Sequence, residues 1–506
     1  MPKHSMQEFW WILMFRMRSQ LALIQLAAVE PYGSIAYEYE KNSYPLAMAS
    51  VLWGQKPSAI EFLQQIDPQA SETQGVDLLS GFTLKGQMRK YFYFGDQLDP
   101  DYRQRMWEAM YAFTLTDPLT RKADPPRKFW ERSTDDCEPP VDCRNTDNLR
   151  AMRETSVYLM AEETGNETTR LIYKAHLDRY VSTLLDIGMG EWDSPVYHGY
   201  TTAAYLNLYD FAKDPEVKQL AKDALDWLYR SAAIKYWRGS WTGPSKRTYG
   251  DGAARFFWLY FGDAPSPEDF ERDWIYAITS DYLPPDEVVA IAQRQFVKPV
   301  ELQRTHPHYE NWKADLYGPA FYETVYLAHS YQLGSLAKGT GGDWSGFSLR
   351  MARDDGGLDQ LRVNAERPHA IAQYENLLIW SGSETPEIRF PSGCTEQVGD
   401  ITFVVCDQTW IALHRFDRGF ALEIGEPQSD GNFDTFKRRV SSQSRLSVDA
   451  ARVEYRTAQS KAAQDKTVAI SPRGTNLPQI WRDGTRHDWR EHNKAVSFEI
   501  QLLKRQ

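Results

Sequence analysis

The sequence predicts an α+β chain of two domains. An N-terminal α/α toroid, an incomplete barrel of helical hairpins, is followed by a C-terminal domain of antiparallel β-sheet or β-sandwich. Before about residue 320, apolar residues recur three and four positions apart, as in helices. After it, short stretches rich in β-branched and aromatic residues alternate with turn residues. The 506 residues suffice for two cores, so we assign 1–315 to the toroid and 316–506 to the β domain.

The clearest helical signal is a run of five consecutive segments. Their starts carry residues that cap helices or fit a first turn, such as Ser194-Pro195 and Asp214-Pro215. The predicted segments run from Thr146 or Asp147 to Gly165, over 167–186, from Ser194-Pro195 to about Lys213, from Asp214-Pro215 onward, and over 253–261, with further helices at 101–115, 267–280 and 286–295.

The predicted strands are separated by Gly, Asp, Asn and Pro turns. Several alternate apolar and polar residues, as expected of antiparallel sheets with one face in water. They are predicted over 321–333, 347–352, 371–380, 401–405, 410–416, 420–424 and 496–503.

The four cysteines form two local pairs, Cys137 with Cys143 and Cys394 with Cys406. The second pair flanks a turn-like stretch between two strand patterns, so a disulfide across a hairpin is feasible. Two such pairs favour an oxidising compartment, and neither has the tight spacing of a zinc site. We expect an extracytoplasmic protein, periplasmic or secreted. The apolar stretch Leu21–Val29 fits a short export signal and an ordinary first helix equally well.

Composition narrows the classes of partner. The net charge of −11 disfavours a nucleic-acid binder, which usually has a basic face. No apolar run reaches the roughly 20 residues that span a bilayer. The 17 Trp and 28 Tyr residues suit the apolar faces of sugars as well as a protein core.

Three polar clusters lie directly before the first, third and fifth of the five helical segments. Alternate helices of an up-and-down array point the same way, so the clusters should share one rim. The set suits proton abstraction beside a carboxylate, and it offers no obvious nucleophile or metal cage. The clusters are Asn145–Asn148, Asp193–Tyr200 and Ser245–Gly252.

These blocks resemble polysaccharide lyases that combine an α/α toroid with a C-terminal β domain, most closely family 38, whose members act on alginate or glucuronan. Tyr331–Ser335 resembles the same group, and the resemblance spans roughly residues 90–350. It implies β-elimination on an anionic uronate polysaccharide, without a cofactor. A Tyr and a His would handle protons, while an Asn and an Arg would hold the carboxylate.

The candidate catalytic residues follow from that chemistry. Arg247 offers a two-pronged fork to a carboxylate, and the amide of Asn145 or Asn148 adds a neutral donor. A helix N-terminus disfavours imidazolium, so His198 should be a neutral base. Tyr249 could protonate the leaving O4, or act as the base with Arg247 stabilising its phenolate. Candidate substrate contacts in the same clusters are Tyr197, Tyr200, Lys246 and Trp241.

Two other functions remain open. An α/α-toroid glycoside hydrolase would need two carboxylates, which Glu191 or Asp193 with Asp251 could supply. A non-catalytic glycan-binding protein would bind without turnover. The pair His306 and His308 has no third ligand nearby in the sequence, so we predict no metal site.

Overall fold

The computed structural model describes most of the chain, in segments. These are residues 6–35, 39–54, 56–65, 81–118, 146–307, 319–339, 344–364, 369–397, 399–458, 465–471 and 477–489. The helices of the first half are α1 (Met6–Ala27), α2 (Glu40–Gly54), α3 (Pro57–Leu63), α4 (Gly81–Tyr93), α5 (Pro100–Thr114), α6 (Asp147–Thr164), α7 (Glu167–Ile187), α8 (His198–Phe211), α9 (Pro215–Lys235), α10 (Gly252–Phe261), α11 (Trp274–Ile278) and α12 (Asp286–Ala292), with a 3₁₀ turn at Gly95–Gln97.

Six of these helices form a closed ring. Helix α2 packs on α4, α4 on α6, α6 on α8, α8 on α10, α10 on α1, and α1 on α2. Helices α5, α7, α9 and α12 pack around the ring, and one apolar core runs through the whole half. The predicted helical toroid is therefore confirmed, with α1 closing the ring.

Helix α1 contains the ambiguous apolar stretch at the start of the sequence. Phe15, Ala22 and Leu26 are buried in the toroid core. Arg18 is also buried, and its guanidinium donates to the backbone carbonyls of Leu259 and Tyr260. These residues thus pack as the first helix of the fold. Among the described residues, no helix is long and apolar enough to cross a membrane.

Most predicted helix ends agree with the structure, and one start differs. Gly165 ends α6 with a φ of 74°, and the Asp214 side chain caps α9 by accepting from the Glu216 amide. Helix α8 begins at His198 rather than at Ser194, because the Ser194 hydroxyl accepts from the amides of Val196 and Tyr197 in a local turn. Of the predicted helix 267–280, only α11 forms.

The second half is built of antiparallel strands. Three short strands, β1 (Tyr236–Trp237), β2 (Ser240–Trp241) and β3 (Ser245–Lys246), precede it within the helical half. The others are β4 (Val300–Pro307), β5 (Pro319–Leu327), β6 (Tyr331–Leu336), β7 (Lys338–Gly339), β8 (Trp344–Ser345), β9 (Phe347–Ala352), β10 (Leu358–Asn364), β11 (His369–Tyr374), β12 (Leu377–Gly382), β13 (Glu387–Arg389), β14 (Thr395–Gln397), β15 (Thr402–Cys406), β16 (Thr409–Phe416), β17 (Gly419–Gly425), β18 (Arg445–Val448), β19 (Val453–Ala458), β20 (Asp465–Ile470), β21 (Ile480–Arg482) and β22 (Thr485–Arg486).

The strands form three main sheets. One has the order β13-β10-β9-β6-β5-β4, a second β14-β15-β16-β17-β12-β11-β7, and a third β18-β19-β20-β21-β22. Two helices, Pro427–Asp430 and Phe433–Gln443, lie between β17 and β18 in the chain. The predicted antiparallel β domain is confirmed as a fold class.

The β signal begins earlier than predicted. Strand β4 belongs to the first sheet, so the change from helix to strand precedes Val300, although the domain boundary at 315 stays a prediction. The predicted strand 371–380 is a hairpin, because Glu375 adopts a turn conformation with φ of 51°. The run 321–333 is likewise divided between β5 and β6. Cys394 and Cys406 form the expected disulfide; Cys137, Cys143 and 496–503 lie outside the described residues.

Candidate active site

The start of helix α6 is attached to the loop before α8 by side-chain hydrogen bonds. The Asp147 carboxylate accepts from the Glu191 amide at 2.6 Å and from the Tyr180 hydroxyl at 3.2 Å. The Asn148 amide group donates to the hydroxyl of Thr146 at 3.0 Å and to the Glu191 carboxyl group. The first predicted cluster therefore contacts the residues just before the second cluster, at Asn148 and Glu191.

Arg247, which belongs to the third cluster, connects that cluster to Glu191 and to the second cluster. Its Nε donates to the Tyr249 hydroxyl at 2.7 Å and lies 3.6 Å from Oε1 of Glu191. Its Nη2 reaches the hydroxyl of Tyr197 at 3.5 Å. Arg247 has a φ of 59°, a conformation uncommon for residues other than glycine. Such a backbone persists only where its surroundings hold it, often at functional sites.

The β half holds the loop that carries Arg247. Strand β3 pairs with β8, and the Gly243 amide donates to the hydroxyl of Ser348. On β6, the Gln332 side chain accepts from Thr242 and donates to the carbonyl of Ile234. The Tyr331–Ser335 motif thus has a structural role, since its strand β6 packs against the loop that carries Arg247 and bonds it through Gln332.

Two phenols meet at the exposed end of this arrangement. The Tyr249 hydroxyl donates to that of Tyr197 at 2.8 Å, and their rings pack edge to face at 6.0 Å. Tyr249 is 58% exposed, whereas Tyr197 is half-buried. Tyr249 also lines a recess of about 230 Å³ beside it, together with Tyr200, Asp251 and Glu271. A ligand from solvent can therefore reach both phenols.

The charge on Glu191 controls how much of the Arg247 charge is available to a ligand. Burial and, after it, nearby Asp147 raise the pKa of Glu191 to about 7, while Arg247 opposes the shift. Below that pH the carboxyl group is neutral and does not compensate the guanidinium. An anionic ligand would then not have to compete with a Glu191 carboxylate for the guanidinium.

Tyr249 has a perturbed environment as well. Burial and the hydrogen bond with Tyr197 raise the pKa of Tyr249, and the Arg247 guanidinium acts in the opposite direction. Arg247 is thus the contact that favours the phenolate form of Tyr249.

His198 lies apart from the phenols in a closed environment. Its side chain is 0% exposed, packs against Trp241 and Phe257, and its Nε2 donates to the Leu228 carbonyl at 2.9 Å. Burial lowers the pKa of His198, so the predicted neutral imidazole agrees with its surroundings. A polymer in solvent has no access to this ring, and its predicted proton-transfer role stays a prediction that the geometry does not favour.

Two predicted substrate contacts, Lys246 and Trp241, stay predictions that the geometry does not favour. Lys246 is 1% exposed, with its ammonium group near the Gly190 carbonyl, and Trp241 is 8% exposed, with its indole N–H donated to the Asp193 carbonyl. Both side chains are packed into the interior, because the loop folds back against the sheet. Tyr200 is half-buried and lines the recess. Asn145 lies outside the described residues.

A buried ionic cluster lies behind the site. Arg304 bonds Asp193 and Glu323, each at 2.6 Å, and Lys235 binds Glu323 and lies 3.3 Å from Asp193. Burial alone would raise the pKa of Asp193, but Arg304 and Lys235 hold it well below its usual range. Asp193 is therefore a poor general acid for the hydrolase alternative. Its carboxylate, His306 and Glu323 offer ligand atoms within 4.8 Å of one another, yet the two cations already neutralise both acids.

The structure brings together Asn148, Arg247, Tyr249 and Tyr197 from the predicted set. It adds Glu191 as a contact of both Asn148 and Arg247, whereas the sequence pattern assigns Glu191 only to the hydrolase alternative. The signal that could have found it is its place two residues before Asp193, where the second cluster begins.

Comparison with known proteins adds little. The sequence matches no protein-family model and has no match among curated proteins. A solved structure of a mutant heparan sulfate lyase HepC from Pedobacter heparinus is similar, at 11% identity over 94% of this chain and 71% of that chain, with a TM-score of 0.28. A TM-score of this size does not establish a shared fold or a shared activity.

Proposed function

We propose that the protein is a polysaccharide lyase that cleaves a 4-linked uronate chain by β-elimination. One observation carries the proposal: Arg247 bonds the exposed phenol of Tyr249 and also lies beside the Glu191–Asn148 pair. Donors suited to a carboxylate are therefore adjacent to a group that can move a proton. This combination is what elimination next to a carboxylate requires.

The difficult step is removal of the proton on C5, next to the charged carboxylate. Abstraction places a second negative charge on that group, so donors aimed at it stabilise the transition state. One such donor can contribute about 3 kcal/mol. Arg247 provides a charged, planar fork. Asn148 is buried and donates to Glu191, so we propose that it acts by positioning Glu191 beside that fork. The substrate carboxylate would compete with Glu191 for the Arg247 guanidinium.

Tyr249 is the proposed proton carrier. It is the exposed phenol of the set, and Arg247 contacts its oxygen directly. Positioned acid–base groups typically contribute about a hundredfold to ten-thousandfold in rate. We assign no proton transfer to His198, because its ring is enclosed.

Alginate and glucuronan are the first substrates to test, because the family resemblance points to them. The Cys394–Cys406 disulfide supports an oxidising compartment, and we place the protein outside the cytoplasm on that basis. The partner is an anionic polysaccharide, and the chemistry proposed uses only residues of this chain.

The test is ultraviolet absorbance during incubation with alginate, glucuronan, hyaluronan and a neutral glucan. Elimination leaves a C4–C5 double bond next to the carboxylate, so absorbance should rise on at least one uronate polymer. The neutral glucan is the control and should give no rise. A flat trace on every uronate polymer, with a folded protein, would remove the lyase proposal.

A glycoside hydrolase is the second candidate, and the recess favours it. Burial and nearby Asp273 raise the pKa of Glu271 to about 7, and Asp251 lines the same recess. A carboxyl group with a raised pKa suits a general acid. This function predicts new reducing ends without a double bond. Binding without either product would instead indicate a glycan-binding protein.

A further inference from the structure

The hydrogen bonds among the three side chains of the site have a defined order. Arg247 donates to the Tyr249 oxygen at 2.7 Å, and Tyr249 donates to the Tyr197 oxygen at 2.8 Å. Arg247 also reaches Tyr197 as a donor at 3.5 Å. Within the part of the chain that the structure describes, the Tyr197 hydroxyl accepts in these contacts and makes none as a donor. Its own proton is therefore available to a ligand.

We propose that Tyr197 is the general acid of the elimination and that Tyr249 is its base. This assignment rests on the proposed lyase function and supplies the second proton carrier that the enclosed His198 leaves open. Both phenols belong to the same opening, since Tyr249 is exposed and Tyr197 is half-buried beside it.

The two phenols complete the reaction without another protein group. The reaction begins once Tyr249 has lost to solvent the proton that it donates to Tyr197. As a phenolate beside Arg247, Tyr249 then takes the C5 hydrogen as a proton. The electrons of the C5–H bond form the C4–C5 double bond. The C4–O4 bond breaks, and its electron pair takes the proton of Tyr197. Tyr249 then passes its new proton to Tyr197 along their hydrogen bond, which restores the starting state.

The separation of the two oxygens selects a stereochemistry. At 2.8 Å apart, they can serve a C5 hydrogen and an O4 atom only on the same face of the sugar. Glucuronate and mannuronate have this syn arrangement, whereas guluronate and iduronate place the two groups on opposite faces. The substrate class is thus a chain of 4-linked units with glucuronate or mannuronate configuration.

The first experiment distinguishes the general acid from the base by comparing a leaving group that needs a proton with one that does not. The probes are a uronate polymer and a methyl glucuronide carrying fluoride at C4, because fluoride leaves without needing a proton. We expect Tyr197→Phe to lower kcat on the polymer by about a hundredfold or more while fluoride release stays near the wild-type rate. Tyr249→Phe should lose both reactions. Tyr111→Phe, an exposed tyrosine on α5, is the matched control.

The second experiment uses unaltered protein and compares polymannuronate and glucuronan with polyguluronate. Absorbance should rise on one or both of the first two and stay flat on polyguluronate. Equal losses of both reactions in a folded Tyr197→Phe variant, or cleavage of polyguluronate at the same rate, would overturn the phenol pair while leaving the lyase intact. Absence of elimination on every polymer would overturn the lyase function itself.

Discussion

Gly334 on strand β6 lies directly against Pro244 in the loop that carries Arg247. A Cβ atom at Gly334 would come within 2.4 Å of Cδ of Pro244 and 3.2 Å of the Gly243 backbone. Neither neighbour is a flexible side chain that could move aside. The β half therefore helps to position the loop that carries Arg247 through this contact between Gly334 and Pro244.

Gly334→Ala should impair the site by displacing the loop that carries Arg247. The loop must shift to admit the methyl group, and a displacement of about 1 Å can cost about a hundredfold in rate. We expect such a loss of elimination on the preferred uronate polymer. Gly393→Ala is the control, because no atom lies within 4 Å of its added Cβ. Wild-type rates for Gly334→Ala would show that this contact does not position Arg247.

Arg247→Lys tests the planar geometry of the guanidinium separately from its positive charge. Lysine keeps the positive charge but cannot bind Tyr249 and a carboxylate in one planar arrangement. We expect kcat to fall about a hundredfold, with a smaller rise in KM. Steady-state kinetics on the polymer measure both, and Arg389→Lys, an exposed arginine of the β half, is the control. A change in KM alone would make Arg247 a binding residue.

Glu191→Gln tests the charge competition at Arg247. The Glu191 carboxyl group has a pKa of about 7 and faces Asp147, Asn148 and Arg247. Below pH 7 it is neutral and leaves Arg247 to the substrate carboxylate; above pH 7 it becomes an anion that competes. KM of the wild type should therefore rise as pH increases through about 7, whereas KM of the variant should stay flat. Parallel KM profiles would contradict this role.

The same residue makes a stability prediction with a definite sign. The folded pKa of Glu191 is raised above its ordinary value of 4.5, so the folded state holds a proton that the unfolded state loses first. Its contribution to the free energy of unfolding should decrease by about 3 kcal/mol as pH rises from below 4.5 to above 7. Denaturant unfolding of wild type and Glu191→Gln at pH 5 and 8 measures the difference.

His198→Gln decides between a structural and a chemical role. The glutamine amide can still donate to the Leu228 carbonyl, but it cannot carry a proton. We expect near wild-type turnover, because the His198 ring is enclosed. His198→Ala should lower the free energy of unfolding by about 2 kcal/mol, since it leaves a cavity and an unpaired carbonyl. A stable His198→Gln variant without turnover would instead make the imidazole a proton carrier.

Glu323→Ala should destabilise the contact between the two halves. It leaves Arg304 and Lys235 buried with one carboxylate, Asp193, in place of two. Breaking a buried ion pair by removing one partner typically costs about 3–5 kcal/mol in the free energy of unfolding. Denaturant titration measures this. Glu387→Ala removes an exposed partner of Arg389 and should leave the unfolding midpoint unchanged.

Most helices and strands could be predicted from the sequence. Periodicity and caps predicted both ends of α6 and the start of α9 closely, because Gly165 and Asp214 act on backbone groups next to them in the chain. The same local rules failed at Ser194, which caps a turn rather than a helix. They also missed the division of 371–380, since a hairpin and one long strand share the same apolar content.

The sequence by itself determined the order of helices and strands, the expected disulfide, and the three loops that would share one rim. Tertiary structure decided which side chains of those loops reach solvent. His198 is enclosed, while Tyr197 and Tyr249 share a hydrogen bond at the opening. The reason is physical: a polar residue in a loop carries no periodicity, so its exposure depends on distant packing. Here Trp241 and Phe257 pack against the His198 ring, and the strand carrying Gly334, far along the chain, packs against the loop that leads to Tyr249.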